Sequence, residues 1–165
     1  MISRISKLKS MIALLVAISF AATLTGCQKV SVSRVSSKVG NVDQICSDFV
    51  AHYLDSDSKT YPSSQSKLKQ DATPSLIKTM KNAGVLAKND KELKAKTAQL
   101  AKRKVKETVE VQKVEEGDLA PGGLIQATVT GEIKKGERAE PFAYKLTLGL
   151  RKDTGKLVVV TITKL

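Results

Sequence analysis

The chain has 165 residues, with 28 Lys and Arg against 16 Asp and Glu, one His, two Cys and no Trp. A formal charge of +12 favours anionic partners, and a single histidine excludes a histidine-rich metal site. No glycine-rich stretch leads from a strand pattern into a helix pattern, which excludes the usual phosphate loops.

The amino terminus carries Arg4, Lys7 and Lys9, then an apolar run over residues 11–22, then Leu24-Thr25-Gly26-Cys27. A basic start, a short apolar core and small residues before a cut are the parts of a secretory signal. The ending Leu-Thr-Gly-Cys resembles a bacterial lipobox. That resemblance implies cleavage after residue 26, diacylglycerol on the Cys27 sulfur, and a place on the extracytoplasmic face of the cell membrane. Two acyl chains hold a protein firmly, since each buried methylene contributes about 0.8 kcal/mol. An uncleaved transmembrane anchor ranks second, because the run falls short of the roughly 20 residues a spanning helix needs. Without Arg4, Lys7 and Lys9 the mature chain keeps 25 basic against 16 acidic residues, a charge of +9. With Cys27 taken by lipid, Cys46 has no disulfide partner and reads as a small buried hydrophobe.

Residues 28–40 are rich in Ser, Val and Lys without a helical period and read as a tether. Residues 41–165 suit one domain. Its first helix starts at Asn41, a capping residue with Gln44 three positions on. Val42, Ile45, Cys46, Phe49, Val50, Tyr53 and Leu54 then fall on one helical face, with Asp43, Ser47, Asp48 and Ala51 opposite. Asp55-Ser56-Asp57-Ser58 ends it. Tyr61-Pro62-Ser63-Ser64 reads as a loop before a short helix through Leu68. Thr73 caps a further helix with Pro74 in its first turn, Leu76, Ile77 and Met80 as its stripe, and Gly84 as its end. Residues 89–104 fit a helix weakly, through Leu93, Thr97, Leu100 and Ala101 and their Ala and Lys content.

The period then changes to two. Val105, Val109 and Val111 alternate with polar residues, and Val114 is out of phase, which predicts a bulge near Gln112. Residues 117–123 read as a turn. Ile125, Ala127, Val129 and Ile133 share a face, and Lys135-Gly136-Glu137 turns the chain. Phe142, Tyr144, Leu146, Leu148 and Leu150 alternate in the next strand, and Asp153-Thr154-Gly155 signals a hairpin. In the last strand Val158, Val160 and Ile162 fall on one side. Helices first and a strand meander last give an α+β domain, with a curved antiparallel sheet of about four strands over the first helix.

The basic excess is concentrated over residues 78–106, where ten basic residues meet only Asp90 and Glu92. Lys88, Lys91, Lys94, Lys96, Lys102, Arg103, Lys104 and Lys106 form a candidate patch for an anionic lipid or wall polymer. The competing reading is a solvated face. No aromatic residue interleaves with the lysines, which argues against base stacking, and no base-reading motif is present.

The element order over residues 41–165, with the Tyr53-Leu54-Asp55 helix end and the Thr73-Pro74 helix start, resembles the nuclear-transport-factor-two-like roll, a cone-shaped α+β superfold. Among membrane-tethered bacterial members it is similar in layout to VirB-eight-type and TcpC-type components of conjugative type IV secretion systems. The resemblance implies a non-enzymatic assembly protein outside the cytoplasmic membrane, with other envelope proteins as partners and no catalytic residue to carry over. Those proteins usually keep a transmembrane helix where this chain has a lipobox.

Candidate chemistry is sparse. His52 lies at the rim of the first helix face and could line a pocket with Tyr53 or Tyr144, although such a histidine is more often a surface or core-edge residue. Asp55 and Asp57 read as a helix-ending loop before a cation site. Glu132 and Glu140 sit on polar strand positions, which argues against a pocket acid. No cofactor or metal is implied. Two function classes follow: an assembly or scaffold lipoprotein, and a lipoprotein that binds a small apolar ligand or peptide in the mouth of the roll.

Overall fold

Four helices precede a four-stranded antiparallel sheet in the computed structural model, which describes residues 41–103 and 107–165. The signal, the lipobox Leu24, Thr25, Gly26 and Cys27, the tether, and Lys104, Val105 and Lys106 lie outside the described residues. No described helix is long and apolar enough to cross a membrane.

Helix α1 (Val42–Leu54) begins where the Asn41 side chain accepts hydrogen bonds from the amides of Asp43 and Gln44, at 3.1 and 3.4 Å. These satisfy two of the amides that a helix start leaves free. Gln44 does not return to Asn41 but donates to Asp48 Oδ1 at 2.8 Å, so the cap is one-sided. Val42, Cys46, Phe49 and Val50 are buried against the sheet, chiefly strands β1 (Glu107–Ala120) and β2 (Leu124–Lys135).

Residues 61–64 are helical, against the loop that the sequence predicts. Helix α2 runs Tyr61–Asp71 with Pro62 in its first turn, where a missing amide costs no hydrogen bond. Its inner face is Tyr61, Ser64, Gln65 and Leu68, half of it polar, so the apolar period is hidden. Helix α3 (Pro74–Asn82) follows the predicted start and stop. Thr73 Oγ1 accepts from the Leu76 amide at 3.4 Å. At the other end Gly84 adopts φ +74°, and the Gly84 and Val85 amides reach back to the carbonyls of Lys81 and Met80, at 3.2 and 2.9 Å. This paired closure is the Schellman arrangement, and it needs a left-handed residue at Gly84. Gln65 then clamps the loop that follows. Its Nε2 donates to the Val85 carbonyl at 3.0 Å and its Oε1 accepts from the Ala87 amide at 2.8 Å, around the fully buried Leu86. Helix α4 (Asp90–Ala101) is formed, and none of its residues is buried.

The sheet order is β1-β2-β3-β4, a meander, with β3 at Arg138–Leu150 and β4 at Leu157–Lys164. The predicted bulge in β1 is present: Val111 pairs with Gly131 but Lys113 with Thr130, leaving Gln112 as the extra residue. The predicted turn at 117–123 shrinks to residues 121–123. Pairing continues through a second irregularity between Glu116 and Leu119 as far as Ala120 opposite Leu124. Gly117 therefore serves a bulge and leaves the turn to Pro121-Gly122-Gly123. β4 also departs from its predicted alternation. Leu148 pairs with Val159 and Leu146 with Ile162, so Val160 is extra. Val159 joins the main core and Ile162 packs at its margin, while Val158 and Val160 line an open cleft with Leu124 and Gly149.

Candidate functional site

Asn89 starts α4 by accepting from the Glu92 amide at 2.9 Å, and Glu92 Oε2 accepts from the Lys88 amide at 2.8 Å. Glu92 also pairs with Lys96 at 3.5 Å. The Lys88 amide first, then Lys96, hold the Glu92 carboxyl below its usual range. Leu93, Thr97 and Leu100 are half-buried, and α2 is the principal neighbour of α4.

The opposite face of α4 carries Asp90 at its start and then Lys91, Lys94, Ala95, Ala98, Ala101 and Lys102, all exposed, in the three- and four-residue spacing of one helix side. Lys88 and Arg103 are exposed at its two ends. Lys96 differs from the others, because it is half-buried and donates to the Gly84 carbonyl besides its pair with Glu92. The described part of the predicted patch thus divides into Lys88, Lys91, Lys94, Lys102 and Arg103, which face outward, and Lys96, which ties α4 to the end of α3. An open cleft of about 620 Å³ runs beside this face, lined by Ser58, Pro62, Leu93, Lys94, Thr97, Ala98 and Ala101.

Charge is segregated among the layers. Residues 59–103 contain eleven Lys and Arg, and Asp71, Asp90 and Glu92 are their only acids. Residues 41–58 contain four acids and no Lys or Arg, and residues 107–165 contain nine of each sign. Three lysines of the sheet are matched locally. Lys134 pairs with Glu110, Lys113 with Glu115, and Lys135 with both Glu107 and Glu140.

His52 and the pair Tyr53 and Tyr144 make separate contacts. Tyr53 meets Tyr144 edge-on, with ring centroids 5.6 Å apart, and Phe142 lies 5.9 Å from Tyr144 on its other side. Phe142 and Tyr144 belong to the core and Tyr53 packs against it, and burial pushes the Tyr53 and Tyr144 hydroxyls up from their ordinary value. His52 turns the other way. Its Nδ1 lies 3.1 Å from Ser64 Oγ, and that hydroxyl donates to Asp55 Oδ2 at 2.6 Å. Asp55 Oδ1 accepts from the Asp57 amide and the Thr60 hydroxyl, both at 3.0 Å. The serine stands between histidine and carboxylate and gives its proton to the carboxylate. Nucleophile activation needs the histidine in the middle, and Ser64 is only 2% exposed. The network instead joins the end of α1 to the start of α2. A cleft of about 370 Å³ beside it is edged by Glu107 and Val109, and Ser56 Oγ donates to Glu107 Oε2 at 2.8 Å.

Cys46 is fully buried, and burial first, then Asp43 and Glu116, push its thiol up to about 12. It is a packed thiol and not a nucleophile. Among the described residues no cluster of three His, Cys, Asp or Glu is placed to hold a metal ion. Sequence reasoning missed the buried pair Ser64 and Gln65 and the clamp from Arg151, whose guanidinium donates to the carbonyls of Gln70 and Ala72 at 3.3 and 3.0 Å. Polar residues at helical spacing after a proline were the available signal for the first. Comparison with known protein families, curated proteins and solved structures finds no match.

Proposed function

We propose that this protein is a lipid-anchored extracytoplasmic assembly component, held by Cys27 and acting through its surfaces without catalysing a reaction. The address comes from the lipobox resemblance. The functional class is carried by one observation: where a ligand-holding roll keeps a cavity between helix and sheet, Tyr53, Tyr144, Phe142 and Phe49 occupy that space with packed rings. Packed rings at this place favour work done by the outer surfaces. The long first helix followed by shorter helices and a four-strand meander supports the finer assignment to the nuclear-transport-factor-two-like rolls. The layout shared with VirB-eight-type and TcpC-type components makes a DNA-transfer machine the first assembly to examine.

Two measurements test this. In cells fed a palmitate analogue, the wild-type chain takes label and the Cys27→Ala variant stays an unlabelled precursor. Processing and membrane retention of the variant would overturn the anchor. Cross-linking in intact cells should give discrete adducts with other envelope proteins. A domain that gives no adducts, and instead takes up a small apolar ligand at one-to-one stoichiometry, would overturn the assembly role.

A further inference from the structure

We propose that the outward face of α4 docks the domain onto an anionic phospholipid surface. The membrane in question is the one supplied by the lipid-anchor assignment, so the inference rests on that assignment for its setting but not for its chemistry.

Three features carry it. The face presents Lys91, Lys94 and Lys102 with alanine between them, Ala95, Ala98 and Ala101, and a single acid, the exposed Asp90, at its start. Alanine lets the helix approach a flat surface closely, and lysine stems reach headgroups from there. The other acid of the helix, Glu92, is turned back to the Lys88 amide and Lys96. Among the described residues no carboxylate lies within ion-pair distance of Lys91, Lys94, Lys102 or Arg103. These cations would not have to break a protein contact to meet phosphate.

Charge segregation then selects the face. An anionic surface attracts the cations of residues 59–103 and repels the four acids of residues 41–58, of which Asp55 shares a cleft with Lys96 and Arg103. The neutral sheet has no comparable pull. The tether does not prevent this choice. Residues 28–40 span at most roughly 45 Å when extended, against a radius of gyration of about 14 Å for a domain of this size. Beside the lysines, the apolar cleft edged by Pro62, Leu93, Ala98 and Ala101 offers a shallow strip at the depth where headgroups meet acyl chains.

The test uses the mature chain from residue 27 with Cys27→Ser, so that no acyl chain contributes. Its partition is measured on phosphatidylcholine vesicles with and without phosphatidylglycerol. Each basic side chain that reaches an anionic surface raises partitioning about fivefold. Combined reversal of Lys91, Lys94, Lys102 and Arg103 to Glu should therefore reduce binding by at least about a hundredfold. Reversing Lys113, Lys145 and Lys164 on the sheet and Lys152 in its last turn changes net charge equally and should cost less than about tenfold. Urea midpoints of both variants confirm folding. Wild-type binding should fall steeply as salt shortens the screening length from about 10 Å at 0.1 M to about 3 Å at 1 M. Equal losses from the two reversals would overturn the inference, as would equal binding to neutral vesicles. Binding to soluble poly(glycerol phosphate) without binding to vesicles would overturn it too and assign the face to a wall polymer. Because the chain is unlipidated throughout, failure here leaves the Cys27 labelling result untouched, and failure of that labelling leaves this one untouched.

Discussion

Replacing Gly131 with alanine should destabilise the domain, although alanine ordinarily improves on glycine in a strand by roughly 0.5–1 kcal/mol. Gly131 is buried in β2, opposite Val111 on one side and Phe142 on the other. It sits where β1 bulges at Gln112 and its backbone swings inward. A Cβ at this position would overlap the Glu110 carbonyl oxygen, lie 2.6 Å from the Phe142 ring tip and 3.0 Å from the Val111 Cα. Two of these three obstacles are backbone and cannot rotate away. Overpacking of this kind costs about 1–3 kcal/mol, and fixed backbone puts it toward the upper end. After subtracting the gain in strand preference, the net loss is about 2 kcal/mol, or about 6–10 °C in melting temperature for a domain of this length. Urea and thermal unfolding by circular dichroism measure both. The double variant Gly131→Ala, Phe142→Leu separates the causes, since it removes the ring tip but leaves the Glu110 carbonyl. Gly131→Ala should remain destabilising by at least about 1 kcal/mol in that background. A Gly131→Ala protein as stable as wild type would refute the close approach of β1 and β2 at the bulge.

Phe49→Asp places an unpaired charge between α1 and the sheet and should unfold the domain, at a cost of several kcal/mol, whereas Asp48→Ser on the exposed side should shift the urea midpoint by no more than about 0.5 kcal/mol equivalent. Equal effects would mean the helix face is misassigned. Gln65→Leu strips partners from the Val85 carbonyl and Ala87 amide, costing about 1–3 kcal/mol for each group left buried; hydrogen exchange at residues 85–87 should accelerate before that of α1. Cys46 should resist thiol reagents at pH 8 in the native Cys27→Ser protein and react at the unfolding rate. Its folded value is raised to about 12 from 9.0, so its contribution to stability is whole below pH 9 and is lost as pH rises toward 12, at up to about 1.4 kcal/mol per unit. Cys46→Ala should flatten that decline where it begins; an unchanged slope between pH 9 and 10 would show that another group is responsible.

Legibility followed period and punctuation. Helix α1 was readable because Asn41 caps it and seven apolar residues keep one face. Helix α3 was readable because Thr73-Pro74 opens it and Gly84 closes it. The bulge at Gln112 was readable because Val114 breaks an otherwise regular alternation. Helix α2 was readable only as a short piece through Leu68, because Ser64 and Gln65 occupy inward positions and are buried for partners that lie 9–22 residues away in the chain. No local pattern announces a hydrogen bond to Val85. The β4 register was equally hidden. Leu157 to Val160 are apolar at every position, so nothing local says which residue is extra, and only pairing with Leu146 and Leu148 decides it.

The candidate site divides in the same way. The number of lysines in residues 88–103 is plain from the sequence, but their disposition is not, because alanine is compatible with either side of a helix. Only once Leu93, Thr97 and Leu100 turn toward α2 do Ala95, Ala98 and Ala101 become the outer face and group Lys91, Lys94 and Lys102 with them. The same placement separates Lys96, which holds α4 to Gly84, from lysines that hold nothing. A basic excess that served solubility alone would have no reason to avoid the sheet, whose outer positions are equally wet. There, nine acids balance nine cations, and Lys113, Lys134 and Lys135 pair with acids across the strand or along it. The excess survives in the helical layer, where Glu92 is spent on the helix's own start and Asp90 alone stands beside Lys91, Lys94 and Lys102.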